Sequence, residues 1–190
     1  MGNCLGPKAI PGSGHETTAV YRQRYRQDRT QLGEGRAGHV FTCTEKSTKK
    51  LFACKNIAKS NQSIIECRRE VAILTKIRGT CPHIIQLQDV FEDTKSLFLV
   101  TELCQGGELY DQIVEKSESP EGAFSEFETA TIIRQMMLGV EALHTLHQVT
   151  HRDLKPENFL LLEKGDIGQI RMIDFGLSRF FKRDERLRTR

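Results

Sequence analysis

Apolar and polar positions divide this chain into two stretches of different rhythm. Between Tyr25 and Glu102, short apolar and β-branched runs recur at residues 40–44, 51–57, 85–91 and 97–101. Runs of this length, rich in residues that suit a pleated surface and separated by polar turns, predict strands. One stretch inside this half keeps another period. Ile64, Cys67, Val71, Leu74 and Ile77 or Arg78 follow one another at steps of three and four, which predicts a helix over residues 62–77. After Gly106 and Gly107 the helical period takes over. Ser125 with Glu128 three places later is a capping-box signature, and Ile133, Met136, Met137, Val140, Leu143 and His147 trace the face that a long helix is expected to bury. Beyond it, residues 159–162 and 170–173 read as two short strands around a turn at 165–168. Residues 1–20, rich in Gly and Pro and without apolar period, read as a flexible leader.

Composition adds little to this until it is resolved along the chain. The 190 residues hold 28 Lys and Arg against 25 Asp and Glu, a net charge of +3. Residues 1–29 carry +3, residues 179–190 carry +4, and the body carries −4. Both ends read as solvated charge runs, including the Tyr21 to Arg29 lead-in where basic residues alternate with two tyrosines, and no nucleic-acid partner is expected. No apolar run approaches the roughly 20 residues that a membrane-spanning helix requires. Six cysteines without CxxC spacing or a signal peptide read as reduced thiols, which points to the cytoplasm. The Met-Gly-Asn-Cys start offers Gly2 to myristate and Cys4 to palmitate, two acyl chains that would together hold the protein at a membrane. Gly6, where that pattern prefers Ser or Thr, departs from it.

The candidate chemistry begins with Gly33-Glu34-Gly35-Arg36-Ala37-Gly38-His39-Val40. In dinucleotide-binding folds such glycines open a helix; here a β-branched and apolar run follows, which favours a hairpin folded over phosphates, with bare backbone where side chains would obstruct. Ala53-Cys54-Lys55 lies on the next predicted strand. Glu70, on the core side of the predicted helix, is a partner for the Lys55 ammonium, and Glu66 one turn earlier is the competing choice. Then comes His151-Arg152-Asp153-Leu154-Lys155-Pro156-Glu157-Asn158, followed by Asp174-Phe175-Gly176 sixteen residues beyond Asn158. His144, His147 and His151 have spacings that suggest a metal site, but with no acidic or cysteine partner nearby they read as structural.

Taken together, these motifs resemble serine/threonine protein kinases over most of the chain. The start, the run Glu102-Leu103-Cys104-Gln105-Gly106-Gly107-Glu108-Leu109 and Pro156-Glu157-Asn158-Phe159-Leu160 look most like the calcium-dependent and calcium/calmodulin-regulated group. The resemblance implies an α+β fold: an antiparallel sheet lobe with one helix over residues 25–104, and a mainly helical lobe from 105 to 178. A leader over residues 1–24 and a basic tail over 179–190 flank them.

It further implies ATP and Mg²⁺ as cofactors, with Asp153 accepting the substrate hydroxyl proton, Lys155 facing the transferring phosphoryl group, and Asn158 and Asp174 holding the metal. Lys55, held by Glu70, would meet the α- and β-phosphates. Leu32, Val40, Ala53 and Leu160 would sandwich the base, the backbone of Glu102 and Cys104 would bond its edge, and Thr101 falls at the gatekeeper position. Gly33, Glu34, Gly35 and Gly38 would cover the phosphates. Glu108 and Glu157 resemble acids that meet the ribose and basic residues of protein substrates, upstream of the target Ser or Thr. Past Asp174 the family's A-P-E segment and later helices are not found in these residues, so transfer is expected to be impaired in this chain, and binding of nucleotide or a partner without transfer is the alternative. Part of the Ile133 to Val140 helix face is expected to lie bare.

Overall fold

In the computed structural model, residues 16–35, 38–59 and 63–182 are described. The elements in chain order are α1 (Thr18–Arg24), β1 (Tyr25–Gly35), β2 (Gly38–Glu45), β3 (Leu51–Ala58), α2 (Ser63–Ile77), β4 (Leu87–Glu92), β5 (Ser96–Glu102), α3 (Leu109–Glu118), α4 (Glu126–Glu141), β6 (Val149–Thr150), β7 (Phe159–Leu161), β8 (Ile170–Met172) and β9 (Arg179–Phe180). The first five strands form one antiparallel sheet in the order β1-β2-β3-β5-β4. Two small pairs, β6 with β9 and β7 with β8, accompany the helices of the second half. The fold is α+β, as the resemblance implies.

Strand alternation gives this sheet two faces with separate cores. On β3, Ile57 joins α2, while Cys54 points the other way. On β5, Leu97 and Leu99 face α2, and Phe98 and Val100 face away. The α2 side is the larger core. It continues without interruption from Cys67, Ile73, Leu74 and Ile77 of α2 through Ile84 and Leu87 to Leu143, Phe159, Leu161, Met172 and Phe175. A single apolar body therefore joins the sheet to the helical half. Burial of this kind stabilises by roughly 25 cal/mol for each Å² removed from water.

The opposite face corrects the expected leader. Residues 18–24 are helical, and Tyr21, 3% exposed, stacks on Tyr25 and Phe98 and meets Phe91 edge-on. Arg24 pairs with Glu16 and Asp89 at 3.0 Å each and lies over the Phe91 ring. Glu16 pairs with Phe91 as an isolated bridge, its carbonyl accepting from the Glu92 amide at 2.8 Å. Tyr21 is the one buried residue of this helix, too sparse a signal for any period to show.

On α4 the expected bare part of the Ile133 to Val140 face is present, with Ile133 and Met137 exposed, and the helix also buries residues outside the apolar pattern. Ser125 and Glu128 form the predicted capping box, and the buried strip is Ile132, Gln135, Gly139 and then Leu143, with Met136 and Val140 half-buried. Two residues outside any hydrophobic pattern turn the helix this way. Gln135 donates to the Ile167 carbonyl at 2.8 Å and accepts from the Ile170 amide at 3.0 Å. At Gly139, a side chain would press on the Met172 methyl and the His83 carbonyl.

No described helix is long and apolar enough to cross a membrane. Replacing Tyr21 with Ala is expected to lower the free energy of unfolding by about 3 kcal/mol, the range for emptying a packed aromatic site, as read from urea denaturation. A loss within about 0.5 kcal/mol, the usual surface effect, would mean that α1 is not docked.

Candidate active site

The glycine run comes from one hairpin, β1 with β2. Gly33 lies opposite Val40, Glu34 opposite His39 and Gly35 opposite Gly38, so the glycine run forms strands on both sides of its tip and opens no helix. Arg36 and Ala37 lie outside the described residues. The glycines serve different ends. Around Gly33 an added Cβ would meet nothing within 4 Å, so bare backbone there faces open space. At Gly38 the obstacle is the protein itself, because a Cβ would run into the Asn56 carbonyl of β3. Close strand packing therefore requires a bare Gly38 in its own right.

Lys55 follows from the same register. It lies opposite Val40 on one side and Leu99 on the other, on the sheet face that looks toward α2. Its ammonium meets both Glu70 oxygens, at 3.1 and 2.9 Å, with Glu70 only 5% exposed. Glu66, one turn earlier, is half-buried and outside the pair. Burial works against the Lys55 charge, but the Glu70 carboxylate and, behind it, Asp174 reverse this and raise its pKa. Lys55 stays an ammonium throughout the neutral range, and Asp174 is near enough to act on it.

The second half supplies Asp153, Lys155, Asn158 and Asp174. The segment between β6 and β7 is folded on itself. Asn158, buried, donates from Nδ2 to the Asp153 carbonyl at 2.7 Å and to its Oδ2 at 2.9 Å. Lys155 Nζ sits 3.2 Å from the same Oδ2. The Ile173 amide donates to the Asn158 carbonyl at 2.9 Å, which brings the residue before Asp174 against this loop. His151 completes the join. Its Nδ1 accepts from the Asp153 amide at 3.4 Å, which assigns the proton to Nε2, and Nε2 donates to the Ile173 carbonyl at 2.9 Å. Its ring also packs edge-on against buried Phe175. This organising role was not legible as anything beyond a structural histidine.

Two non-glycine residues of this region sit in left-handed backbone: Arg152 at φ 71° and Asp174 at φ 60°. Such conformations cost of order 1–3 kcal/mol each and persist only where surroundings fix them. At Asp174 the fixing contact is the Gly176 amide, 3.2 Å from Oδ1.

The remaining expected residues line the junction. Ala53 pairs with Thr42 and Thr101, and Leu160 forms an isolated bridge with Glu108. Ala53, Val40, Thr101, Glu102, Cys104 and Leu160 are half-buried, while Leu32 is exposed. Burial, with Glu102 nearby, pushes the Cys104 thiol up to about 12. The crossing segment is held by Gln105 and Gly106 amides on the Leu162 and Leu161 carbonyls, at 2.9 and 3.0 Å. At Gly106 a side chain would strike β7 and the Glu163 carbonyl. Glu108 has its pKa raised by burial and then by Asp111 and Glu157, with Lys155 opposing. Three carboxylates therefore share one field beside the loop.

Asn158 and Asp174 suit a magnesium ion by the chemistry of their donors. With Asn158 Nδ2 turned to Asp153, its amide oxygen is the atom left to meet a cation, and Asp174 adds a carboxylate. No group of three His, Cys, Asp or Glu able to hold a metal occurs among the described residues. Mg²⁺ ordinarily takes one or two such protein oxygens and completes its shell from phosphates and water. His147, whose Nε2 lies 3.0 Å from Thr80 Oγ1, and His151 have other partners.

Comparison with known proteins shows the family. The profile of the family described as "Protein kinase domain" matches residues 26–190. The chain is 44% identical over 173 residues to calcium-dependent protein kinase 6 of Oryza sativa subsp. japonica, covering 89% of the chain and 30% of that protein. It is 39% identical over 189 residues to calcium-dependent protein kinase 1 of Arabidopsis thaliana, covering 94% and 30%. Against calcium-dependent protein kinase 7 of Oryza sativa subsp. japonica it is 42% identical over 182 residues, covering 94% and 32%. The chain thus spans about a third or less of the length of these relatives.

Three histidines make the fold sensitive to acid. Burial lowers the pKa of His83, His147 and His151; Arg171 and Arg134 add to this at His83, and Lys76 at His147. The unfolded chain takes up protons that the fold refuses, so stability is present above the unfolded value of about 6.5 and lost as pH falls toward the folded values. Melting temperature is expected to drop between pH 7.5 and 5, and the drop should be smaller in His147→Gln. A flat profile over that interval would contradict the burial assigned to these rings.

Proposed function

The chain belongs to the protein kinase domain family, and we propose on that footing that it binds ATP with Mg²⁺ in the junction between sheet and helices and transfers the γ-phosphoryl group to Ser or Thr of protein substrates. The observation that carries this is the Lys55–Glu70 ion pair at 2.9 Å, with Asp174 acting on the same ammonium from the other half of the molecule. Elements distant in sequence thereby direct one cation and one carboxylate toward a shared space.

Phosphoryl transfer asks mainly for positioning and for charge facing the phosphate oxygens. Lys55, held by Glu70, would meet the α- and β-phosphates. Asp153, oriented by Asn158 and Lys155, would take the proton of the substrate hydroxyl as its oxygen attacks the γ-phosphorus; the bond to the bridging oxygen breaks and ADP leaves. During that step Lys155 would neutralise charge on the group in transit. Magnesium, bound by Asn158 and Asp174, would supply charge neutralisation at the phosphates. Leu32, Val40, Ala53 and Leu160 would enclose the base, with the backbone of Glu102 and Cys104 at its edge.

Asp111 and Glu157 each repel the Glu108 carboxylate, so a cation arriving there relieves a standing cost. This supports substrates with basic residues upstream of the target hydroxyl. Membrane association through acyl chains on Gly2 and Cys4 belongs to the same proposal; both residues lie outside the described ones.

Phosphotransfer to a basic Ser-containing peptide is expected from the wild-type chain, with Asp153→Asn reducing it by at least a hundredfold, the scale of general-base catalysis, at nearly unchanged ATP affinity. Equal activity in the variant would remove Asp153 from the chemistry, and binding of Mg·ATP without any transfer by the wild type would leave a nucleotide-binding module. In the same assay, Glu157→Gln should raise KM for the arginine peptide by roughly tenfold, as expected when one member of a charge pair is lost, and leave KM for a neutral peptide unaltered. Equal KM changes for both peptides would remove the basic-substrate assignment.

A further inference from the structure

Glu102 enters the proposed site through its backbone, but its side chain points elsewhere. Oε1 accepts from the Gln86 amide at 2.8 Å, and Arg171 Nε lies between the two carboxylate oxygens at 3.1 and 3.2 Å. The pair is largely withdrawn from water, with Arg171 at 11% and Glu102 at 23% side-chain exposure. A surface ion pair is worth little, whereas one shielded and hydrogen-bonded on both sides fixes geometry.

Gln86 is itself tied down. Its Oε1 accepts from the Gly79 amide at 2.8 Å, its Nε2 donates to the Ile84 and Cys81 carbonyls, and its own carbonyl accepts from the Glu102 amide at 3.0 Å. The loop between α2 and β4 also pairs with β8: the Ile85 amide donates to the Met172 carbonyl at 3.0 Å, and the Met172 amide to the His83 carbonyl at 2.9 Å. Three stretches thus meet at Arg171: the loop that ends α2, the end of β5, and β8. Asp174 stands three residues past Arg171, at the exit of β8.

We propose that Glu102, Gln86 and Arg171 form a tie that seats Asp174, and that Arg171 is a positioning residue for the metal-binding carboxylate without touching nucleotide or metal. The proposal rests on the kinase reading of the site. Its logic is one of lever arms: the loop holding Asn158 grips Ile173 from one side, and the tie grips β8 from the other. With the Arg171 grip removed, Asp174 keeps its bond to Gly176 and β8 keeps its backbone bonds to His83 and Ile85, but its relation to Lys55 and the sheet loosens.

The test separates magnesium from nucleotide. In Arg171→Met, the Mg²⁺ concentration that gives half-maximal ATP binding should rise roughly two- to thirtyfold, the span of such indirect couplings, while ATP affinity in EDTA stays unchanged. Arg171→Lys should recover part of the loss, and Glu102→Gln added to Arg171→Met should bring little further change. Amide exchange at Met172 and Ile85 should accelerate in Arg171→Met with no ligand present, which reports the tie apart from any activity. An unchanged Mg²⁺ requirement in a folded variant, unchanged exchange, or an equal loss of affinity in EDTA would each overturn the tie. A wild-type chain that binds no ATP with or without Mg²⁺ would instead overturn the kinase reading itself.

Discussion

A lysine ammonium facing the interior must find a carboxylate, and much of this structure follows from how Lys55 finds Glu70. The two residues are fifteen apart in sequence and sit on a strand and a helix, so their contact fixes α2 in rotation and height against the sheet. Taking two charges from water is costly, and removing one partner leaves the other stranded, typically at 3–5 kcal/mol. Neither side chain tolerates independent change. The apolar residues around them, Ile57, Cys67, Val71 and Leu74, make the contact possible by excluding water from the same face.

The helical half faces this pair through Asp174, which a short chain of side-chain and backbone bonds holds in place. Asn158 holds Asp153 by side chain and Ile173 by carbonyl, and His151 bridges Asp153 and Ile173 with its two ring nitrogens. Every one of these bonds ends on the residue before Asp174 or on Asp153 itself. Phe175, wholly buried in the core that also contains Leu74 and Ile77, anchors the far side. Asp174 can then occupy left-handed backbone because both neighbours are fixed. The hydrophobic core and the polar loop act as one scaffold, and the sheet-to-helix junction is where both end.

Local chemistry was legible wherever the physics is local. The strand runs, the α2 period, the capping box at Ser125 and the hairpin reading of the glycine run all depend on neighbours within a few residues, and each appears in the structure. Hydrophobicity alone did not reveal contacts held by a polar or small residue. Gln135 turned α4 because its amide has two buried partners, and Gly139 because β8 comes close. Gly38 is bare to make room for a neighbouring strand, a requirement set by sheet packing. Tyr21 docked residues 18–24 through aromatic partners that are distant in sequence.

The sequence by itself determined the kinds of element, the family resemblance and the residue types available for phosphate and metal chemistry, because these follow from periodicity and from motifs a few residues long. Tertiary structure decided which carboxylate takes the lysine, Glu70 over Glu66, where α4 turns its face, and that Glu102 holds β8 with its side chain. Those outcomes depend on distances between residues far apart in the chain. Such distances are set only when the whole apolar interior closes and each buried polar group must settle on the partner it can reach.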